Sequence, residues 1–258
     1  MHNEVGNFLN GVHHLLIIKY YDLRCRKYWV RLVCDMNLSH VLNRGVDKRK
    51  IFMDDQDRFR FVHDLFEFND QEWVNTTFYR FSKSNDIASR NIKRRPRKLL
   101  VDIHAFCLMP NHYHLLVSPK VENGITKFMK KIDMGYAKYF NQKYDRRGAL
   151  FEGRYKSVLI KTESHFIHLP YYIHLNPLDL VHREWRDRKL TDYKEALKFL
   201  NSYRWSSHLD YIGYKNFPSV TQRGFLAKFL DGADGYAASI NEWLKDLDLT
   251  GVEGVRLE

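Results

Sequence analysis

The apolar positions change period several times along the chain, and each change marks an element. Leu38 to Asn43 reads as a strand that ends at Arg44-Gly45. Asp54 and Asp55 are good helix N-caps, and Phe59, Val62, Leu65 and Phe66 follow at helical spacing to about Phe68. Leu99 to Leu108 reads as a strand, Met109-Pro110-Asn111 as a turn and His112 to Ser118 as the returning strand, which together predict a hairpin. Gly124 opens a helix with one apolar stripe of Ile125, Phe128, Met129, Ile132, Tyr136, Tyr139 and Phe140. Tyr155 to Ile160 is a further strand, and a helix runs from near Thr162 to just before Pro177. This order predicts an α+β fold, a ferredoxin-like antiparallel sheet with helices on one face.

The remaining pattern divides the chain. Residues 1–35 have little periodicity and read as an N-terminal extension, leaving 36–178 as the domain with the alternating elements. Residues 179–258 read as a helical C-terminal region, with Tyr193, Ala196, Leu197 and Leu200 on one amphipathic helix and Tyr236, Ile240, Trp243, Leu244 and Leu247 on another. No internal repeat or low-complexity tract interrupts this plan.

Composition narrows the class. Hydrophobic residues make up 44% of the 258 residues, enough to bury a core, and 42 Lys and Arg against 31 Asp and Glu leave a formal charge of +11. Such a balance points to a polyanionic partner, nucleic acid foremost, although a merely basic surface would give the same count. Five of the six residues from Lys93 to Lys98 are basic (Lys93, Arg94, Arg95, Arg97 and Lys98), which reads either as a phosphate-contacting loop or as a solvated linker. Cys25, Cys34 and Cys107 form no C-x-x-C pair, which argues against a disulfide framework or a cysteine zinc site and for a reducing compartment. No apolar run approaches the roughly 20 residues that a membrane helix needs, and Leu15 to Ile18 is a poor signal peptide, so no membrane partner and a cytoplasmic location are expected.

Two clusters carry chemistry. His112 and His114 flank Tyr113 on a strand, so both imidazoles project from one face and could hold one divalent metal; two polar residues on a half-exposed strand would look the same. His104 on the neighbouring strand reads as structural. Tyr172 and Asn176 are four apart on a helix and share a face, so a phenol nucleophile and an amide oxygen ligand lie together. A Tyr-rich core helix capped by Asn-Pro is the competing reading. Tyr171 lies about 100° around the helix from Tyr172 and reads as core.

The stretch Phe106-Cys-Leu-Met-Pro-Asn-His-Tyr-His-Leu-Leu-Val117 resembles the His-hydrophobic-His motif of HUH single-tyrosine transposases, most closely those associated with repetitive extragenic palindromes. Further blocks match in order: His40-Val-Leu-Asn-Arg-Gly45, Ile51-Phe-Met-Asp-Asp55, Tyr139-Phe-Asn141, Gly148-Ala-Leu-Phe-Glu-Gly-Arg-Tyr-Lys-Ser157, Tyr172-Ile-His-Leu-Asn-Pro177 and Trp205-Ser-Ser207. The resemblance covers roughly residues 37–213. It implies an HUH endonuclease fold, with His112, His114 and Asn176 as ligands of Mg2+ or Mn2+ and Tyr172 as the nucleophile. Arg44, Arg154 and Lys156 fall in matching blocks as DNA contacts. One departure is Pro170, which lacks the amide to bond the preceding turn and is expected to kink the nucleophile helix.

The implied activity is that of a transposase. It would cleave single-stranded or hairpin DNA and transfer the strand through a 5′-phosphotyrosine, as monomer or homodimer, without ATP. No Walker-type glycine loop is present. Two other readings stay open: a replication-initiator or relaxase-type HUH nuclease, for which the chain has no room for a helicase domain, and a non-catalytic, domesticated hairpin-binding protein.

Overall fold

The structure, a computed structural model, describes residues 35–72, 96–187, 190 and 192–246. The expectations for the leader 1–34, for Lys93, Arg94 and Arg95, and for Leu247 lie outside these residues.

Four strands form one sheet: β1 (Ser39–Arg44), β2 (Val101–Met109), β3 (His112–Pro119) and β4 (Lys156–Leu159). Their spatial order is β2-β3-β1-β4 and every neighbouring pair is antiparallel. Helix α1 (Asp55–Glu67) joins β1 to β2 and α2 (Gly124–Lys143) joins β3 to β4, giving the split βαβ arrangement that the sequence predicts. The helix that carries Tyr172 is α3 (Glu163–Leu175), followed by α4 (Tyr193–Ser202), α5 (His208–Tyr211), α6 (Gly224–Phe229) and α7 (Gly232–Asp246).

Local chemistry sets the helix starts. The Asp54 carboxylate accepts from the Asp57 amide at 2.9 Å, so Asp54 rather than Asp55 is the cap. Thr162 caps α3 in the same way, accepting from the His165 amide at 3.2 Å. Helix α3 continues through Pro170 as one element. Gly135 lets α2 approach α1, since a Cβ there would collide with the Phe68 ring.

Helices cover both faces of the sheet, which refines the expectation of one. Tyr113, Leu115 and Val117 share a core with Phe61, Leu65, Phe128, Ile132 and Tyr136 from α1 and α2. The opposite face, with His114 and Leu116, is covered by α3, which packs on β2 and β3. The reason is visible in β2, where Ala105, Phe106, Cys107, Leu108 and Met109 are all buried. An uninterrupted apolar run leaves neither face for water.

The described residues from Asn37 onward form one compact unit. The C-terminal region covers the free edge of β2: Leu108 N donates to Trp205 O at 2.8 Å, Ser207 N to Phe106 O at 3.0 Å and Gln222 N to Ile103 O at 2.8 Å. An open strand edge is a template for unwanted pairing, and this one is satisfied within the chain.

Candidate active site

Antiparallel register places the site. In β1 and β3, Arg44 pairs with His112 and Leu42 with His114, and Lys156 of β4 pairs with Leu42. Directly paired residues share a face, so both histidines, Arg44 and Lys156 project to the side covered by α3. The hairpin tip that carries His112 is pinned from outside. Gly45 N donates to Asn111 O at 2.9 Å, and Ile51 N and Phe52 N donate to Pro110 O at 2.8 and 3.1 Å.

The Tyr172 ring of α3 lies against this pair. Its centroid is 5.8 Å from that of His114 in an edge-on contact and 6.4 Å from that of His40. The His112 and His114 rings are 4.9 Å apart. Asn176 lies one turn further along; its Nδ2 donates back to the Tyr172 carbonyl at 2.7 Å, which leaves Oδ1 facing the site. The structure therefore brings together His112, His114, Tyr172 and Asn176. Tyr171 instead stacks on Tyr236 and Trp243 in the C-terminal packing.

The imidazoles are in the form that a metal needs. Burial pulls His112 down to about 4 and His40 to about 3, and burial with the nearby His112, His40 and Arg186 charges holds His114 well below its usual value. The Asn176 side chain, lying against His114, is the opposing influence. His112 Nδ1 donates to Asn111 Oδ1 at 2.7 Å, which leaves Nε2 as the lone pair. His114 Nδ1 and His40 Nε2 share a hydrogen bond at 2.9 Å, while His114 Nε2 is buried with no partner. An orphaned buried nitrogen is costly unless a ligand completes it, so these residues fit a divalent ion. Among the described residues no trio of His, Cys, Asp or Glu is arranged around a metal, so an amide or phosphate oxygen must complete the set.

A further residue enters from beyond α3. Arg186, in the short turn Arg183–Asp187, donates to the Tyr172 hydroxyl at 3.2 Å and to Asn176 Oδ1 at 3.0 Å. Asp179 accepts from Arg186 Nε at 2.7 Å and NH2 at 2.6 Å, and from Trp185 Nε1 at 2.6 Å. Burial opposes the Arg186 charge, but Asp179 and Tyr172 outweigh it and its pKa is raised. Sequence reasoning missed Arg186, Asp179 and the His40 contact. One arginine among 42 basic residues carries no signal of its own.

The other predicted contacts divide. Arg44, Arg154 and Lys156 line one pocket with Glu152 and Asn43. Arg154 and Lys156 are exposed, whereas Arg44 is engaged by Glu152 at 2.8 Å. Arg97 lies over the Phe66 ring and donates to the Phe66 carbonyl, fastening α1 rather than facing outward. Lys98 is exposed, but Val101 pairs with Pro119 and Met109 with His112, so Lys98 is at the far end of the hairpin. That separates it from the histidines by about 25 Å at 3.3 Å per strand residue.

A family model described as "Transposase IS200 like" matches residues 76–176, the stretch that holds both histidines, Tyr172 and Asn176. That stretch is 101 of the 258 residues, and over it the chain is similar to the IS200-like transposase family. The match bears out the resemblance drawn from the motifs, and the matched segment includes β2, β3, α2, β4 and α3. No protein among curated sequences matches the chain. A solved structure of a REP-associated tyrosine transposase bound to a REP hairpin aligns with 71% of this chain and 84% of its own, at 13% identity and a TM-score of 0.43. That likeness is too distant to carry weight. No described helix is long and apolar enough to cross a membrane.

Proposed function

We propose that the protein cleaves single-stranded DNA at hairpin or palindromic sites and transfers the strand through a 5′-phosphotyrosine on Tyr172. The observation that carries this reading is the packing of the Tyr172 ring against the imidazole pair, its centroid 5.8 Å from that of His114, whose Nε2 is buried and unpartnered. A structural tyrosine needs no such neighbour.

His112 Nε2 and His114 Nε2 would hold the divalent ion, Mg2+ or Mn2+. Asn176 Oδ1 has two lone pairs and can ligate while still accepting from Arg186. When bound, the ion polarises the scissile phosphate and draws charge from phosphorus. Tyr172 Oη forms the new bond to phosphorus, the bond from phosphorus to the 3′ oxygen breaks, and that oxygen leaves as a 3′-hydroxyl. The phenolic proton passes to water and the departing oxygen gains one. An incoming 3′-hydroxyl reverses the sequence, and the phosphotyrosine conserves the bond energy.

Tyr172 is 1% exposed, whereas His112 and Arg186 are partly exposed. Arg154 and Lys156, on the β4 side of the sheet, neutralise the backbone of the bound strand.

The test is a covalent-adduct gel with Mn2+ and labelled single strands that carry palindromic hairpins from the host's DNA. A denaturation-resistant band that disappears in Tyr172→Phe is expected. A band that persists in that variant overturns the nucleophile assignment. Hairpin binding with no band on any cognate strand favours the binding-only protein.

A further inference from the structure

The basic residues ordinarily enlisted for DNA lie on the surface, but one cation is sunk into the site. Arg186 reaches the reacting oxygen itself, with NH1 3.2 Å from Tyr172 Oη and the guanidinium carbon 5.4 Å from the phenol ring centre. Its other nitrogens are committed to Asp179 and Asn176. Asp179 is itself fixed, since it also accepts from the Trp185 indole and stands on the Asn176–Leu180 turn that continues directly from α3. The guanidinium thus sits in a cradle built from the same segment as the nucleophile, with its plane set by a two-pronged carboxylate contact.

We propose that Arg186 is a catalytic residue of the transesterification: fixed by Asp179, it holds the Tyr172 phenolic oxygen and neutralises the charge gathering there whenever the bond to phosphorus forms or breaks. The inference rests on the reading of Tyr172 as nucleophile. In cleavage, Oη bonds to phosphorus and the 3′ oxygen departs with a proton from water. In strand transfer, the incoming 3′-hydroxyl bonds to phosphorus, its proton goes to water, and Oη leaves as a phenolate. A donor already aimed at that oxygen needs no reorganisation as the charge appears. Asp179 is a positioning residue, acting through Arg186.

The arrangement also accounts for an arginine rather than a lysine. One ammonium cannot serve Oη, Asn176 Oδ1 and both oxygens of a carboxylate in a single plane.

The experiment measures the rate of adduct formation and of strand transfer with Mn2+ and the labelled palindromic strand, in wild type, Arg186→Gln, Arg186→Lys, Arg186→Ala and Asp179→Asn. Arg186→Gln is expected to slow both steps by about 100-fold, the usual effect of removing one donor to a developing oxyanion. Arg186→Lys should fall between the two, and Asp179→Asn should lower the maximal rate without changing the affinity for the strand. Arg186→Ala should regain rate on addition of millimolar guanidinium ion, a recovery that a merely structural role would not show. Unchanged strand binding and thermal unfolding separate a lost group from a lost fold. Arg186→Gln at the wild-type rate overturns the proposal, and a faster rate identifies Arg186 as a plug. A wild type that forms no adduct on any cognate strand overturns the Tyr172 reading beneath it, an outcome distinct from either.

Discussion

Strand β3 presents its residues alternately to two buried layers, and the layers treat their polar groups differently. Toward α1 and α2, the Tyr113 hydroxyl donates to Asp133 Oδ1 at 2.7 Å, and Asn43 Nδ2 donates to Asp133 Oδ2 at 3.0 Å. Both carboxylate oxygens of Asp133 are met inside the protein. Toward α3, His114 Nε2 and His40 Nδ1 are buried with no partner, and Arg186 donates to the hydroxyl of the neighbouring Tyr172. A packed layer closes its hydrogen bonds, whereas a working layer leaves atoms open for a ligand. Residues one position apart on the same strand therefore belong to different economies of structure and chemistry.

Mutations should separate the two layers. The largest effect is expected at His114: His114→Ala should lower adduct formation by more than the 10–100-fold typical of disturbing a metal ligand's support. Isothermal titration should show Mn2+ affinity falling with it. Tyr113→Phe should do the reverse. It should cost about 1–3 kcal/mol of stability by leaving Asp133 short of a donor, seen in denaturant unfolding, while Mn2+ affinity stays put. Adduct loss in Tyr113→Phe comparable to that in His114→Ala would erase the distinction.

pH should pull the layers in opposite directions. Burial raises Asp133 to about 6 from 3.8. The unfolded chain gives up this proton first, so this group's contribution is lost as pH rises from about 4 to about 6. The buried imidazoles have lowered values, His112 about 4 and His40 about 3 against 6.5. Their contribution is present above 6.5 and is lost as pH falls toward the folded values. His104, His174 and His208 are shifted the same way by burial, so the imidazoles outnumber the carboxyl. The thermal midpoint should therefore drop as pH falls below 6.5, and the drop should steepen in Asp133→Asn, which removes the opposing slope.

The smallest effect belongs to the exposed rim. Lys156→Ala and Arg154→Ala should each weaken strand binding modestly and reduce the slope of log affinity against log salt by about 1, without altering the adduct rate at saturation. Glu152→Gln should strengthen binding slightly by releasing Arg44 from its ion pair. Filter binding across a salt series checks all three.

Much of this was legible along the chain. The apolar patterns predicted the four strands and the first three helices of the described residues within a few residues, and in β3, α1 and α2 this is because the element buries an apolar stripe. The expectation of helices on one face was too narrow, since Phe106, Cys107 and Leu108 form a run in which alternation disappears. The basic run ending at Lys98 stood out by composition, yet of its described members Arg97 fastens α1 and Lys98 lies far from the histidines.

The sequence by itself determined the local terms: the His-Tyr-His alternation that sends two imidazoles the same way, and the four-residue spacing that puts Tyr172 and Asn176 on one helical face. Only the tertiary structure decided that α3 lies across that face of β3, that His40 from another strand meets His114, and that Arg186 returns to the Tyr172 hydroxyl. Spacing within one element is fixed by backbone geometry and can be read residue by residue. Contacts between elements depend on how several buried faces pack at once, and no single stretch of sequence records that sum.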